Sequence, residues 1–247
     1  MNDTRPSGRR PTVTQGQVAD DFDRLRETYE DKINAALSFG GQEHSFYIDI
    51  KRDHILRLAA ARFGDLAKLD VLDLGCGLGA YHPGLKGKFH QLHGIDVSAQ
   101  SIELARERHS FVLYESFDGG TLPYPDASFD LAFTVCVMHH VPPPQWEAFT
   151  AEMYRVLKPG GLALVFEHNP YNPATQYIVK TCDIDKDAVL LRPGQLRAMF
   201  KAAHFEEVHT RSVLSVPPIN APLARLDQAF GHLPFGAQYY LSGTKPL

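Results

Sequence analysis

Three glycines in alternation, Gly75, Gly77 and Gly79, follow a short apolar stretch, residues 71–74, that is interrupted by one acid, Asp73. A run of this kind is typical of a buried parallel strand. Glycines directly after a strand let the backbone turn sharply and approach a ligand where a side chain would clash. The pattern therefore predicts a nucleotide-binding corner at the carboxyl edge of an open α/β sheet.

A second acid, Asp96, ends the next predicted strand, residues 91–97. It follows Gly75 by about the 20 positions at which a carboxylate reaches a ribose hydroxyl in a Rossmann-type unit. The alternative role is capping of the next helix, although Ser98 is better placed for that. A nicotinamide-dependent dehydrogenase fits less well, because its fingerprint needs Gly-x-Gly-x-x-Gly and the third glycine here comes one position early.

Two histidines, His139 and His140, follow the predicted fourth strand, residues 131–137. Ligands of open α/β sheets bind at such carboxyl ends, and a histidine there can act as a base near neutral pH. Since no carboxylate lies at usable spacing around the pair, we expect no metal site.

The predicted fifth strand, residues 162–166, runs into Glu167 and His168 and then into an Asn- and Pro-rich phrase. So many polar groups at a sheet edge are costly to bury without partners, which favours a ligand site. A turn built by asparagine and proline alone is the alternative.

These phrases together resemble the class I S-adenosylmethionine (SAM)-dependent methyltransferases. Residues 73–79 are similar to the first motif of that family and residues 94–98 to its second. The Asp, Leu-Pro and Ser-Phe-Asp segment within residues 118–130, and the Lys-Pro-Gly-Gly turn at 158–161, are similar to later ones. The resemblance implies a Rossmann-like, doubly wound, seven-stranded and mostly parallel sheet with an antiparallel last strand and helices on both faces.

The resemblance also implies a set of residues that bind SAM. Asp118 stands where such proteins place an acid that accepts the adenine amino hydrogen, and Phe117 could stack on the base. Turn formation ahead of two glycines is the alternative for Asp118. The implied cofactor-binding residues are Asp73, Gly75, Cys76, Gly77, Gly79, Asp96, Val97, Phe117, Asp118 and Cys136.

The implied activity is transfer of the SAM methyl group to an oxygen or carbon of a small-molecule acceptor, in secondary or cell-envelope metabolism. A base is needed only where the acceptor must lose a proton, and His140, His168 and Glu167 are the candidates. Two alternatives stay open. The chain could use the bound cofactor without methyl transfer, or it could be a non-catalytic SAM-binding module.

The composition of the chain bears on its binding partners and on its cellular compartment. A net charge of −4 and a pI near 6.3 give no bulk attraction to nucleic acid. Three separated cysteines without a CxxC pair, an N-terminus unlike a signal peptide, and the absence of a membrane-spanning run indicate a cytoplasmic protein.

We expect a disordered tail over residues 1–17 and one domain over 18–247. Predicted helices at 18–37 and 46–63 form an N-terminal cap over residues 18–65, which covers the site or simply packs against the sheet edge. Substrate-side insertions are expected at 168–192 and 217–236. Within the first, alternating acids at 183, 185 and 187 lack the glycine and glutamate of an EF-hand and predict a solvated turn.

Overall fold

The computed structural model describes residues 16–17, 43–182, 184–185 and 187–247. Apart from residues 16 and 17, the predicted tail and the helix predicted at 18–37 lie outside the described residues.

Seven strands form one sheet in the order β3-β2-β1-β4-β5-β7-β6. The neighbouring pairs from β3 to β5 are parallel, whereas β7 runs antiparallel to both β5 and β6. This order confirms the predicted fold class. The strands are β1 (Asp70–Leu74), β2 (Gln91–Asp96), β3 (Leu113–Ser116), β4 (Phe129–Val135), β5 (Leu157–His168), β6 (Glu206–Val213) and β7 (Gln238–Thr244).

Helices cover the two faces of this sheet. The α-helices of the described residues are α1 (His44–Phe63), α2 (His82–Leu85), α3 (Ala99–Arg108), α4 (Trp146–Val156), α5 (Pro173–Thr181), α6 (Pro193–Ala202) and α7 (Ala221–Phe230). Short 3₁₀ turns lie at Leu66–Lys68 and Pro143–Gln145. No helix in this part of the chain is both long enough and apolar enough to cross a bilayer.

Alternation along the strands divides the core into two layers. Leu72 and Leu74 of β1 pack into one buried cluster with Trp146 of α4, while Val71 packs into the other with Ile55 of α1. Each large apolar side chain buried in this way contributes about 1.5–3 kcal/mol. Apolar side chains therefore cover both faces of the central strands.

Two predicted strand boundaries were wrong in ways that matter for the site. β4 begins and ends two residues earlier than predicted, so Cys136 and Val137 lie in the loop after it. β5 extends through His168, because that residue still pairs with Gln238 of β7. Glu167 and His168 are therefore held by a strand rather than by a turn.

The expected insertion before α6 contains a helix that was not predicted, α5, which begins with Pro173 directly after its cap. The side chain of Asn172 accepts a hydrogen bond from the backbone N–H of Thr175 at 3.0 Å. This is the usual way in which asparagine begins a helix.

Candidate functional site

The glycine-rich turn after β1 forms the floor of the site. Gly75, Gly77 and Gly79 have φ angles of +81°, +51° and +74°, which side-chain-bearing residues rarely adopt. The backbone N–H groups of Gly75 and Cys76 both donate to the carbonyl of Ile95 at 2.8 and 3.0 Å, which ties the turn to β2. The turn is thus a fixed cradle with no side chain on its glycines.

A cavity of about 330 Å³ lies above this turn at the carboxyl edge of the sheet, and its volume is within the range of small-molecule sites. It brings together nine of the ten predicted cofactor residues. Those that line it are Asp73, Gly75, Cys76, Gly77, Gly79, Asp96, Val97, Phe117 and Cys136.

Asp118 is the predicted cofactor residue that the structure leaves out of the cavity lining. Its side chain is exposed, and Oδ1 accepts the backbone N–H of Gly120 at 2.9 Å, so that Asp118 forms the turn ahead of the two glycines. Its neighbours Phe117 and Gly119 line the cavity instead. The adenine contact of Asp118 stays a prediction.

Asp96 ends β2 with its carboxylate at the cavity wall. Oδ2 accepts the N–H of Gly77 at 2.8 Å, and Oδ1 accepts the N–H of Ser98 at 2.9 Å. Burial raises the pKa of Asp96, and the hydrogen bonds from Ser98 and Gly77 oppose the shift. Each oxygen retains acceptor capacity for a ligand hydroxyl. The helix cap is supplied by Ser98, whose hydroxyl accepts the N–H of Ser101 at 3.0 Å.

A second cavity of about 150 Å³ adjoins the first. Three residues, His44, Cys136 and His140, line both. The first turns of α1 also supply Tyr47 and Lys51 to the second cavity, whereas Ile55 of the same helix packs in the core. This helix therefore both covers the site and packs against the sheet.

The predicted substrate-side insertions contribute unequally to the second cavity. Its walls include five residues from 168–192 besides His168, namely Thr175, Ile178, Cys182, Ile184 and Asp185, but none of the described residues from 217–236. The 217–236 segment instead accepts hydrogen bonds from Asn169 and Asn172, at the carbonyls of Pro234, Phe235 and Gly236.

Cys136 lies at the boundary of the two cavities in a strained conformation, with a φ of +57°. The ammonium group of Lys51 is 3.8 Å from its sulfur. Burial raises the pKa of the Cys136 thiol. The charges of Lys51 and His168 lower that pKa by more than burial raises it, so that its value is about 7. A thiolate is therefore accessible here near neutral pH.

The predicted bases occupy different places. His140 and His168 line the second cavity, whereas Glu167 lines neither cavity and is fully buried. The Glu167 carboxylate accepts the backbone N–H of Met138 at 2.8 Å and contacts Nδ1 of His139 at 2.6 Å. Glu167 therefore orients the loop after β4 and its first histidine, and it does not face the ligand space.

The expectation of a solvated turn at 183–187 was wrong for Asp185. Its carboxylate Oδ1 lies 3.5 Å from Nε2 of His139 and 3.4 Å from Nε2 of His140. The backbone N–H of Val189 donates to the carbonyl of His139 at 2.9 Å and pins this segment to the histidine loop. The fold thus places a carboxylate beside His139 and His140, although no residue close to them in sequence supplies one.

The charged groups around the two histidines shift one another's pKa values. Burial opposes protonation of His139, but Glu167 and Asp185 raise its pKa well above the usual range. Burial and the charge of His139 hold the pKa of His140 well below its usual range. Burial would raise the pKa of Asp185, yet His139 lowers it to about 2.

A buried polar chain supports the glycine turn from below. Oδ2 of Asp73 is 3.0 Å from Nε2 of His82, and Nδ1 of the same ring contacts the hydroxyl of Tyr114. The sequence carried one signal for such a partner, since an acid inside an apolar strand must be compensated when buried. No comparable signal connected Asp185 or Lys51 to the site.

Comparison with known proteins places residues 72–165 in the family described as methyltransferase domain. A demethylmenaquinone methyltransferase of Tropheryma whipplei is 32% identical over 148 residues, which are 59% of this chain and 56% of that protein. A phthiotriol/phenolphthiotriol dimycocerosates methyltransferase of Mycobacterium ulcerans is 29% identical over 174 residues, which are 68% of this chain and 61% of that protein. The chain therefore spans little more than half the length of these curated relatives.

A solved structure from Thermotoga maritima is similar over nearly its whole length. It is described as a SAM-dependent methyltransferase and a possible histamine N-methyltransferase. The TM-score is 0.64 at 22% identity, and the match covers 92% of this chain and 99% of that chain. The likeness establishes a shared fold.

Proposed function

We propose that the chain, whose residues 72–165 match the methyltransferase domain family, is a class I SAM-dependent methyltransferase and transfers the SAM methyl group to a small-molecule acceptor bound in the second cavity. The observation that carries this proposal is the adjacency of the two cavities. The glycine cradle and Asp96 line one, and His44, Cys136 and His140 line both. A methyl donor in the first cavity therefore faces an acceptor in the second.

The first cavity suits SAM in its shape and its charge. Glycines let the backbone approach a ligand, Asp96 offers a carboxylate to the ribose, and Phe117 offers an aromatic face near it. Two acids, the buried Asp73 and the half-buried Asp96, line the cavity, and negative charge there favours a sulfonium cation. SAM brings an already activated methyl group, so the protein's task is alignment and exclusion of water.

In the transfer step, a lone pair of the acceptor forms the bond to the methyl carbon as the carbon–sulfur electron pair returns to sulfur. The products are the methylated acceptor, S-adenosylhomocysteine and, for a hydroxyl or acidic carbon, a proton. His140 and His168 line the acceptor cavity and can take that proton. The names of the relatives, which include demethylmenaquinone and phthiotriol methyltransferases, support an acceptor that is a small molecule.

The test combines binding with turnover. Calorimetric titration should give micromolar binding of SAM and S-adenosylhomocysteine and none of NADH. Incubation with SAM and a panel of hydroxylated quinones, phenols and polyketides should release S-adenosylhomocysteine with at least one acceptor. Failure of the SAM pair to bind would overturn the proposal. Acceptor turnover without S-adenosylhomocysteine would favour use of the cofactor without methyl transfer.

Replacing Asp96 with alanine should weaken SAM binding by about 1–3 kcal/mol, because hydrogen bonds to a charged group are lost. Its carboxylate also holds the N–H of Gly77, so 2′-deoxy-S-adenosylhomocysteine serves as the control ligand. The wild-type chain should bind the deoxy ligand more weakly than S-adenosylhomocysteine, and the Asp96→Ala variant should not distinguish the two. If the variant still discriminates between them, Asp96 is not the ribose ligand.

A further inference from the structure

Three side chains that line the second cavity hold possible metal-ligand atoms close to one another. Nε2 of His139, Nε2 of His140 and a carboxylate oxygen of Asp185 all lie within 4.8 Å of one another. The two histidines come from the loop after β4, whereas Asp185 comes from the segment between α5 and α6. All three side chains line the cavity.

The spacing of these atoms suits a shared metal ion better than direct hydrogen bonding. The two nitrogen–oxygen distances are 3.5 and 3.4 Å, which is longer than the 2.7–3.2 Å of a usual N–H···O bond. Ligands about 2.0–2.1 Å from a tetrahedral zinc ion are about 3.3 Å from one another. The two nitrogen–oxygen separations therefore fall close to the edge length of a tetrahedral site, and the two histidine ligand atoms lie within 4.8 Å of each other.

The orientation of His139 has the form found around metal centres. Its Nδ1 contacts the buried Glu167 carboxylate at 2.6 Å, so Nε2 on the opposite side of the ring points at Asp185. Metal-bound histidines almost always donate their other ring N–H to such a partner, which fixes the tautomer and raises ligand basicity. Glu167 also accepts the Met138 N–H and is held in place independently.

The charge of the cluster also favours a cation. Two carboxylates, Glu167 and Asp185, flank His139, and both are largely buried. The ammonium group of Lys51, which lines the same cavity, contacts Cys136. A divalent ion beside these two carboxylates would offset the cost of burying their charge.

We propose that His139, His140 and Asp185 bind one divalent transition-metal ion of the zinc type, and that this ion receives an oxygen of the methyl acceptor. Imidazole nitrogen favours such ions over calcium or magnesium. Three protein ligands leave at least one coordination position, as in catalytic zinc sites. The assignment of the acceptor rests on the proposed function; the ion site itself does not.

The ion would direct the reaction to acceptors that carry a hydroxyl, phenol or enol. Coordination lowers the pKa of a bound hydroxyl strongly, as it lowers the pKa of zinc-bound water to about 7. With that oxygen held by the ion, its lone pair would form the oxygen–methyl bond as the carbon–sulfur electron pair returns to sulfur, and the hydroxyl proton would pass to His168 or to solvent. His140 acts here as a ligand rather than as a base.

Cobalt binding to the full-length chain tests the site directly. After chelator treatment, titration with Co²⁺ should give about one equivalent per chain with visible absorption bands of four- or five-coordinate cobalt, displaced by Zn²⁺. Asp185→Asn, which preserves size, should weaken binding at least about 10-fold, and Glu167→Gln about 10–100-fold, the usual effect of an outer partner. Catechol added to the cobalt-loaded wild-type chain should shift the bands.

The matched control is Asp187→Asn, the same change at an exposed acid two residues away, which should bind Co²⁺ like the wild type. The metal site is overturned if the wild type binds no cobalt, or if Asp185→Asn and Asp187→Asn bind it equally. Unshifted bands with catechol would overturn the oxygen contact. SAM binding and S-adenosylhomocysteine release are measured on the same preparations, so that loss of the methyltransferase function is seen separately from loss of the ion.

Discussion

Replacing Gly75 with alanine is expected to lower the free energy of unfolding by about 2–5 kcal/mol and to weaken SAM binding at least about 30-fold. A left-handed backbone conformation costs a side-chain-bearing residue about 1–2 kcal/mol, and Gly75 has a φ of +81°. A Cβ there would also lie 2.5 and 2.7 Å from the two methyl groups of Val137, and overpacking of this kind costs about 1–3 kcal/mol.

The clash should reach the cofactor because both residues line the first cavity. Either the glycine turn or Val137 must move, and both movements change the cradle. Gly87 provides the matched control, since its φ is +69° but a Cβ there would meet nothing within 4 Å. Gly87→Ala should show the backbone cost in thermal unfolding while calorimetry gives unchanged SAM binding.

A double variant separates strain from contact. Adding Val137→Ala to Gly75→Ala removes the clashing methyl groups and should restore part of the SAM affinity, which a double-mutant cycle would report as coupling. Independent effects of the two substitutions would contradict the proposed contact. Equal SAM affinities for Gly75→Ala and Gly87→Ala would show that the close approach at Gly75 has no role in the cradle.

The cofactor cavity could be predicted from the sequence because local geometry determines most of it. An apolar strand followed by alternating glycines has few backbone solutions, and parallel strands deliver their ends to one edge of the sheet. The Gly75 turn and Asp96 are therefore assembled by segments that lie close in sequence. Asp118 shows the limit of this reasoning, because one rotamer decides whether its carboxylate turns to the cavity or to its own loop.

The acceptor side could not be predicted in the same way, because it depends on contacts between segments distant in sequence. Asp185 reaches His140 only because α5 folds back and Val189 bonds to the histidine loop. Because Asp185 lies between two other aspartates in the sequence, its local sequence does not indicate that it is buried. Glu167 was placed correctly near the sheet edge, but its direction depends on β5 continuing for two further residues, which pairing with β7 decides.

Replacing His82 with alanine is expected to destabilise the fold by about 3–5 kcal/mol, the usual cost of leaving a buried charge without its partner. The side chains of His82 and Asp73 are 0% and 2% exposed, and their atoms lie 3.0 Å apart. The change leaves the Asp73 carboxylate and the Tyr114 hydroxyl without this ring. A Cβ at Gly79 would meet both His82 and Tyr114, which shows that these two side chains pack directly against the glycine turn. Loss of the His82 ring should therefore weaken SAM binding as well.

The pH dependence of this loss identifies its cause. Burial already raises the pKa of Asp73, and His82 opposes the shift, so removing His82 raises that pKa further. A carboxyl with a raised folded-state pKa loses stability as pH rises from the unfolded value of about 3.9. The loss of stability in His82→Ala should therefore be larger at pH 7 than at pH 4.

The control variant is His90→Ala, which removes the contact of the exposed His90 with Asp70 at 2.8 Å and should cost at most about 1 kcal/mol. A pH-independent deficit in chemical denaturation, or one no larger than that of His90→Ala, would assign His82 to packing alone.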